Sequence, residues 1–159
     1  MGPEISLRAR LIRVLAFDVD GVLTDGRVSI DTAGREARVF HDADRAGIAL
    51  LRRAGIDVLA LAPQRTRAVP AYVRKLQLTG LLAGAGQGQS SMRRFCRREG
   101  LDLETVAYVG HDVLELPLLS AVGLAVSVAD GFDRVKRQAH WVTTCAGETA
   151  PYARSQRSS

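Results

Sequence analysis

Aromatic residues make up only 5% of this 159-residue chain, so a core must be filled by Leu, Val, Ile and Ala, a mixture suited to helices laid on a sheet. Cysteine occurs twice, at Cys96 and Cys145, with no C-x-x-C spacing; neither a disulfide framework nor a zinc site is signalled. Also missing is any apolar run near the roughly 20 residues that a membrane helix needs, and the start MGPEISLRAR has no signal-peptide core. The expected setting is the reducing cytoplasm, with no membrane partner. Acidic residues are outnumbered 17 to 22 by Lys and Arg, giving a net charge of +5. Pairs such as Arg52-Arg53, Arg93-Arg94 and Arg97-Arg98 carry that excess, but no basic run is interleaved with aromatics as a base-stacking surface would be. Nucleic acid is therefore not an expected partner, whereas a small anionic metabolite is.

With 47% hydrophobic and 25% charged residues, the chain suits one globular domain. Apolar runs of strand length fall at 13–17, 56–62, 105–110 and 124–129, with a last short strand in HWVTT. Between them lie helical patterns at 44–55 and 66–78, where Pro70 must fall in the first turn, then around SSMRRFCRREG, LELPLLSAVG and GFDRVKRQA. RVSI (27–30) and ARVF (37–40), separated by the turn-prone DTAGRE, read as a β-hairpin. The alternation predicts an α/β fold, a doubly wound, Rossmann-like parallel sheet whose ligands bind beyond the carboxyl ends of the strands. Residues 1–12 are expected to be an N-terminal extension, 13–147 the domain and 148–159 a flexible basic tail.

VLAFDVDGVLTDG (14–26) ends its strand with Asp18 and Asp20 and adds Asp25. Two carboxylates held so closely repel, so a cation should share the site. A divalent ion bound through oxygen would answer this, and a metal-bound phosphate would supply a substrate. A turn in which both acids accept from backbone amides is the alternative. A calcium loop fails, because Val22 and Leu23 stand where that loop needs an acid and Gly.

FDVDGVLTDG after an apolar strand resembles the first motif of the haloacid dehalogenase superfamily of phosphotransferases, D-x-D-G-x-x-T-D. VAYVGHDVLELPLLSAVGLAVSVADG (106–131) is similar to the fourth-motif region of one branch, the capless 3-deoxy-D-manno-octulosonate 8-phosphate phosphatases. The hairpin, FHDADRAGI (40–48) and AHWVTTCAG (139–147) follow the same branch, so the resemblance runs from about Leu15 to Gly147. It implies a Rossmann-like fold with a hairpin insertion and no cap domain. It also implies an aspartyl-phosphate mechanism, with Asp18 as nucleophile and Asp20 as acid and base. Magnesium, with manganese or cobalt as substitutes, would be held by Asp18, Asp20 through its carbonyl, and His111 or Asp112. Thr24, Asp25, Asp44 and Arg65 would contact substrate, a small phosphorylated sugar or sugar acid. By analogy, the assembly would be a homotetramer.

Three departures accompany the resemblance. Ala62 and Pro63 stand where the second motif has a hydroxyl, and Gly88 stands near the place of the third-motif lysine. His111 replaces the first acid of G-D-D, and imidazole suits manganese, cobalt or zinc better than magnesium. Glu115 occupies a place where the family has Asp, and Arg93 is the nearest basic residue to offer in place of the lysine. The expected function is a metal-dependent phosphomonoesterase. The rival is a catalytically degenerate oligomerisation or binding module, like the domain of this fold appended to animal CMP-sialic acid synthetases.

Overall fold

The computed structural model describes residues 2–62, 68–84 and 86–147. Strands β1 (Val14–Asp18), β4 (Asp57–Ala62), β5 (Gly80–Ala83), β6 (Val106–Gly110), β7 (Leu124–Ser127) and β8 (Trp141–Val142) form one parallel sheet in the order β5-β4-β1-β6-β7-β8. Strands β2 (Ser29–Ile30) and β3 (Glu36–Ala37) pair separately as an antiparallel hairpin, Ser29 against Ala37 and Ile30 against Glu36. This is the predicted doubly wound α/β architecture, with a hairpin in place of a cap. β5 was not legible by periodicity, since four residues of Gly-Leu-Leu-Ala carry no alternation.

Alternation along the central strands assigns their faces. Val14, Ala16, Leu59, Leu61, Val106 and Tyr108 point to one side, where Met92, Phe95 and Cys96 of α4 (Gly88–Glu99), Leu118 and Leu119 of α5 (Leu116–Leu119), and Val135 of α6 (Asp133–Gln138) close over them. On the other side Val58 packs with Ile48 of α2 (Asp44–Arg53) and with Tyr72 and Leu76 of α3 (Ala68–Leu76). Pro70 is the third residue of α3, where its missing N–H breaks no helical hydrogen bond. Strands buried on both faces explain why the sequence runs were continuously apolar rather than alternating.

Residues 3–11, within the segment read as an extension, form helix α1 (Pro3–Leu11). Pro3 opens it, Glu4 lies in its first turn and pairs with Arg8 at 3.2 Å, and Arg8 and Arg10 close it in the sense the helix dipole favours. Arg8 also donates to the Gly123 carbonyl at 2.8 Å, and Ile5 packs against the apolar cluster that includes Val109 and Val126, which seats α1 on the sheet.

From β1 the chain runs outward to β4 and β5, then returns to β6 on the other side of β1. The sequence order reverses there, so the loops after β1 and β6 splay apart and open a crevice at their carboxyl ends. Asp18 ends β1 and Gly110 ends β6, which brings the first and fourth motifs together.

Candidate active site

Asp18 stands at the crevice with its side chain only 14% exposed. Behind it, residues 19–23 make one wide turn closed by the Thr24 amide on the Val19 carbonyl at 3.0 Å. Gly21 sits in this turn at φ +98°, a conformation other residues rarely adopt. The place of its missing side chain is taken by the His111 ring, whose nearest atoms lie 2.5–2.7 Å from where a Cβ would be. The glycine of D-x-D-G therefore admits the imidazole as well as the turn.

Thr24 is fully buried. Its hydroxyl donates to the Val19 carbonyl at 3.3 Å and accepts from the Gly26 amide at 3.1 Å, holding the loop rather than facing a ligand. Asp25 accepts from the Arg27 amide at 2.9 Å, a local turn contact. Asp44 lies in the first turn of α2 and accepts from the Tyr72 hydroxyl at 3.1 Å, with Tyr72 itself stacked on Phe40 at 3.7 Å. Arg65 and Pro63 fall outside the described residues. Ala62 ends β4, 2% exposed, so a methyl stands where the second motif has its hydroxyl.

After β6, Asp112 caps the turn at Val113–Glu115, its carboxylate accepting from the Leu114 amide at 2.9 Å. Glu115 folds back. One carboxylate oxygen takes the amides of His111 and Asp112 at 2.8 and 2.9 Å, and the other takes the Tyr108 hydroxyl at 2.5 Å. A Cβ on Gly110 would lie 2.5 Å from that carboxylate, so glycine before His111 is what lets Glu115 reach in. The longer acid noted in the sequence thus organises the loop and faces Asp18.

These contacts bring Asp18, His111 and Glu115 together, with one donor atom of each within 4.8 Å of the others. His111 Nδ1 lies 3.4 Å from Asp18 and 3.9 Å from Glu115, buried and without a hydrogen-bond partner. A buried ring nitrogen facing two carboxylates, with no bond of its own, fits a divalent ion. Asp112, named with His111 as a ligand, is not in this group; its carboxylate faces its own turn. Burial pushes Asp18 from 3.8 up to about 7; closeness to His111 opposes this, and the charges of Glu115 and Asp20 add to it. The His111 pKa is raised, chiefly by the nearby Asp18 carboxylate, against the effect of its own burial.

The Asp20 carboxylate is gripped by Arg38, which follows β3. Nε and one terminal nitrogen meet its two oxygens at 2.7 and 3.1 Å, and the other terminal nitrogen reaches Glu36 at 2.9 Å. The Arg38 side chain is 5% exposed. No pattern in the sequence ties the hairpin to Asp20; that contact is made by folding alone. Gly88 opens α4 near the place of the third-motif lysine, and Arg93 does not take that lysine's place. Arg93 is exposed and borders a hollow with Arg97, Asp102 and Leu103, near the start of β6 and at the opposite end of the sheet from Asp18.

No family model matches the chain. Its sequence is 32% identical to the 3-deoxy-D-manno-octulosonate 8-phosphate phosphatase KdsC of Yersinia pestis over 144 residues, 91% of this chain and 77% of that protein. Among solved structures, the 3-deoxy-D-manno-octulosonate 8-phosphate phosphatase of Moraxella catarrhalis, in complex with magnesium, phosphate and KDO, superposes with a TM-score of 0.89 at 25% identity, covering 94% of this chain and 87% of that one. The cobalt-bound phosphatase of Haemophilus influenzae does so with a TM-score of 0.83 at 29% identity, over 93% and 87%.

Proposed function

Because the chain belongs to the haloacid dehalogenase superfamily, in the KdsC branch, we propose that it is a metal-dependent phosphatase hydrolysing the monoester of a small sugar-derived phosphate. The observation that carries this reading is the convergence of Asp18, Glu115 and the buried His111 Nδ1 at the switch point, with Asp20 two residues after Asp18. Asp18 is the nucleophile: its carboxylate attacks phosphorus, the P–O bond to the sugar breaks, and a phosphate rests on Asp18 until water releases it. Asp20 gives its proton to the departing alkoxide and takes one from the incoming water. Asp18, His111 and the Asp20 carbonyl would hold the divalent ion, which when bound offsets the negative charge shared by carboxylate and phosphate. Magnesium is the branch's ion by resemblance, and the imidazole of His111 shifts preference toward manganese or cobalt.

Asp44 and Arg65 remain our proposed contacts to the sugar, and Thr24 and Asp25 act by shaping the loop that carries Asp20. We further propose a cytoplasmic homotetramer, the exposed apolar residues Val28, Ile30 and Val39 of the hairpin segment meeting neighbouring subunits.

Turnover of a panel of sugar phosphates with magnesium, manganese and cobalt, alongside Asp18→Asn, tests the reading. Expected is metal-dependent release of phosphate that Asp18→Asn abolishes, with His111→Asp restoring magnesium as the better ion. The methyl of Ala62 and the bare Gly88 favour the second reading, a degenerate binding or oligomerisation module, because each missing group costs about 10² or more in rate where it steadies transition-state charge. Folded protein inert with all three ions would support that alternative and end the first.

A further inference from the structure

We propose that Arg38 is the phosphate-recognition cation of this site, held in reserve on Asp20 and handed to the substrate. The inference rests on the phosphatase reading above. The crevice gathers the carboxylates of Asp18, Asp20 and Glu115, and a phosphate monoester brings further negative charge. The groups expected to meet that charge are gone: Gly88 has no ammonium, and Ala62 has no hydroxyl. Among the described residues, Arg38 is the only Lys or Arg side chain in an ion pair with Asp18 or Asp20.

Its placement suits anion recognition. The side chain is 5% exposed while the Asp20 carboxylate it grips is 26% exposed, so the fork is sheltered and the edge it faces can be reached by an anion from solvent. Two of its nitrogens already face a pair of carboxylate oxygens at 2.7 and 3.1 Å, and a phosphoryl group offers the same planar fork a closely similar oxygen pair. Glu36 holds the remaining terminal nitrogen at 2.9 Å, so the guanidinium stays anchored while its other edge changes partner. The exchange would leave the Asp20 oxygens clear to face the leaving group. Arg38 therefore contributes to substrate binding directly, and the hairpin that carries it becomes part of the site as well as a surface for neighbours.

The test is calorimetric titration with inorganic phosphate in the presence of manganese, for the parent and for Arg38→Gln, Arg38→Lys and Asp20→Asn, each checked for folding by circular dichroism. Expected is about 10- to 100-fold weaker phosphate binding in Arg38→Gln, partial recovery in Arg38→Lys, and manganese affinity within about threefold of the parent in both. Asp20→Asn, which frees the fork, should bind phosphate several-fold more tightly. In turnover, Arg38→Gln should raise KM more than it lowers kcat. Unchanged phosphate affinity in folded Arg38→Gln would overturn the inference and leave the phosphatase reading standing. Should Arg38→Gln not fold, phosphate binding in Asp20→Asn no tighter than in the parent would overturn it. A parent that binds no phosphate with manganese would overturn the inference, and one that also releases none from any sugar phosphate with magnesium, manganese or cobalt would overturn both.

Discussion

Replacing Asp18 by Asn should stabilise the metal-free protein even though it removes the proposed nucleophile. Burial and the charges of Glu115 and Asp20 hold this carboxyl at about 7 against 3.8 for a solvated one. An acid whose pKa is raised by folding adds stability that is complete below 3.8 and is lost as pH rises through about 7. The interval corresponds to at most about 4 kcal/mol at pH 8; relaxation of the loop and the lost attraction to His111 reduce the expected gain in Asp18→Asn to about 2–3 kcal/mol. For a domain of this size that is a rise of about 5–10 °C in Tm. Thermal melts of parent and variant without metal, from pH 5 to pH 8, should show a gap that opens with pH and levels off above pH 7. Manganese should then reverse the order: at a hundredfold excess over Kd the parent gains about 2.7 kcal/mol and the variant little. A variant less stable than the parent at pH 8 without metal, a gap independent of pH, or equal stabilisation of both by manganese would refute the reasoning.

Gly21→Ala places a methyl within 2.5–2.7 Å of the His111 ring at a backbone φ of +98°, so it should cost about 1–3 kcal/mol and weaken manganese binding at least about tenfold by calorimetry. Binding as tight as the parent's would mean that the ring has no part in holding the ion. Glu115→Ala strands the buried Tyr108 hydroxyl and two backbone amides, and urea unfolding should show a loss of about 2–4 kcal/mol. His140 accepts the Ala125 amide on Nδ1 at 2.9 Å, and burial lowers its pKa below the usual 6.5. A base lowered by folding contributes stability present above 6.5 and lost as pH falls below it, so His140→Gln should flatten the acid limb of the melting curve. An acid limb unchanged in slope would count against that hydrogen bond.

The buried strands and amphipathic helices of the domain were legible because burial on two faces or one leaves a periodicity of its own. Helix α1 left weak periodicity, since none of its residues is fully buried; its markers were Pro3, Glu4 and the closing arginines. Asp18 and His111 stood out as chemistry at strand ends. Asp112 and Glu115 illustrate what spacing does not convey. Both are acids in one loop, yet the shorter caps its own turn and the longer folds back toward Asp18, a choice made by the room beside Gly110.

By itself the sequence determined the layered parallel architecture and the presence of paired acids at the mouth of β1, because strand burial, turn chemistry and residue type are local properties. Only the tertiary structure decided that Arg38 closes on Asp20, that Glu115 joins Asp18 and His111, and that Arg93 lies far from them. Those pairings join residues 18 to 97 positions apart or depend on which way a loop folds back. They arise from the crossing of the chain at β1 and β6 and from the space two glycines leave open, neither of which any short stretch encodes.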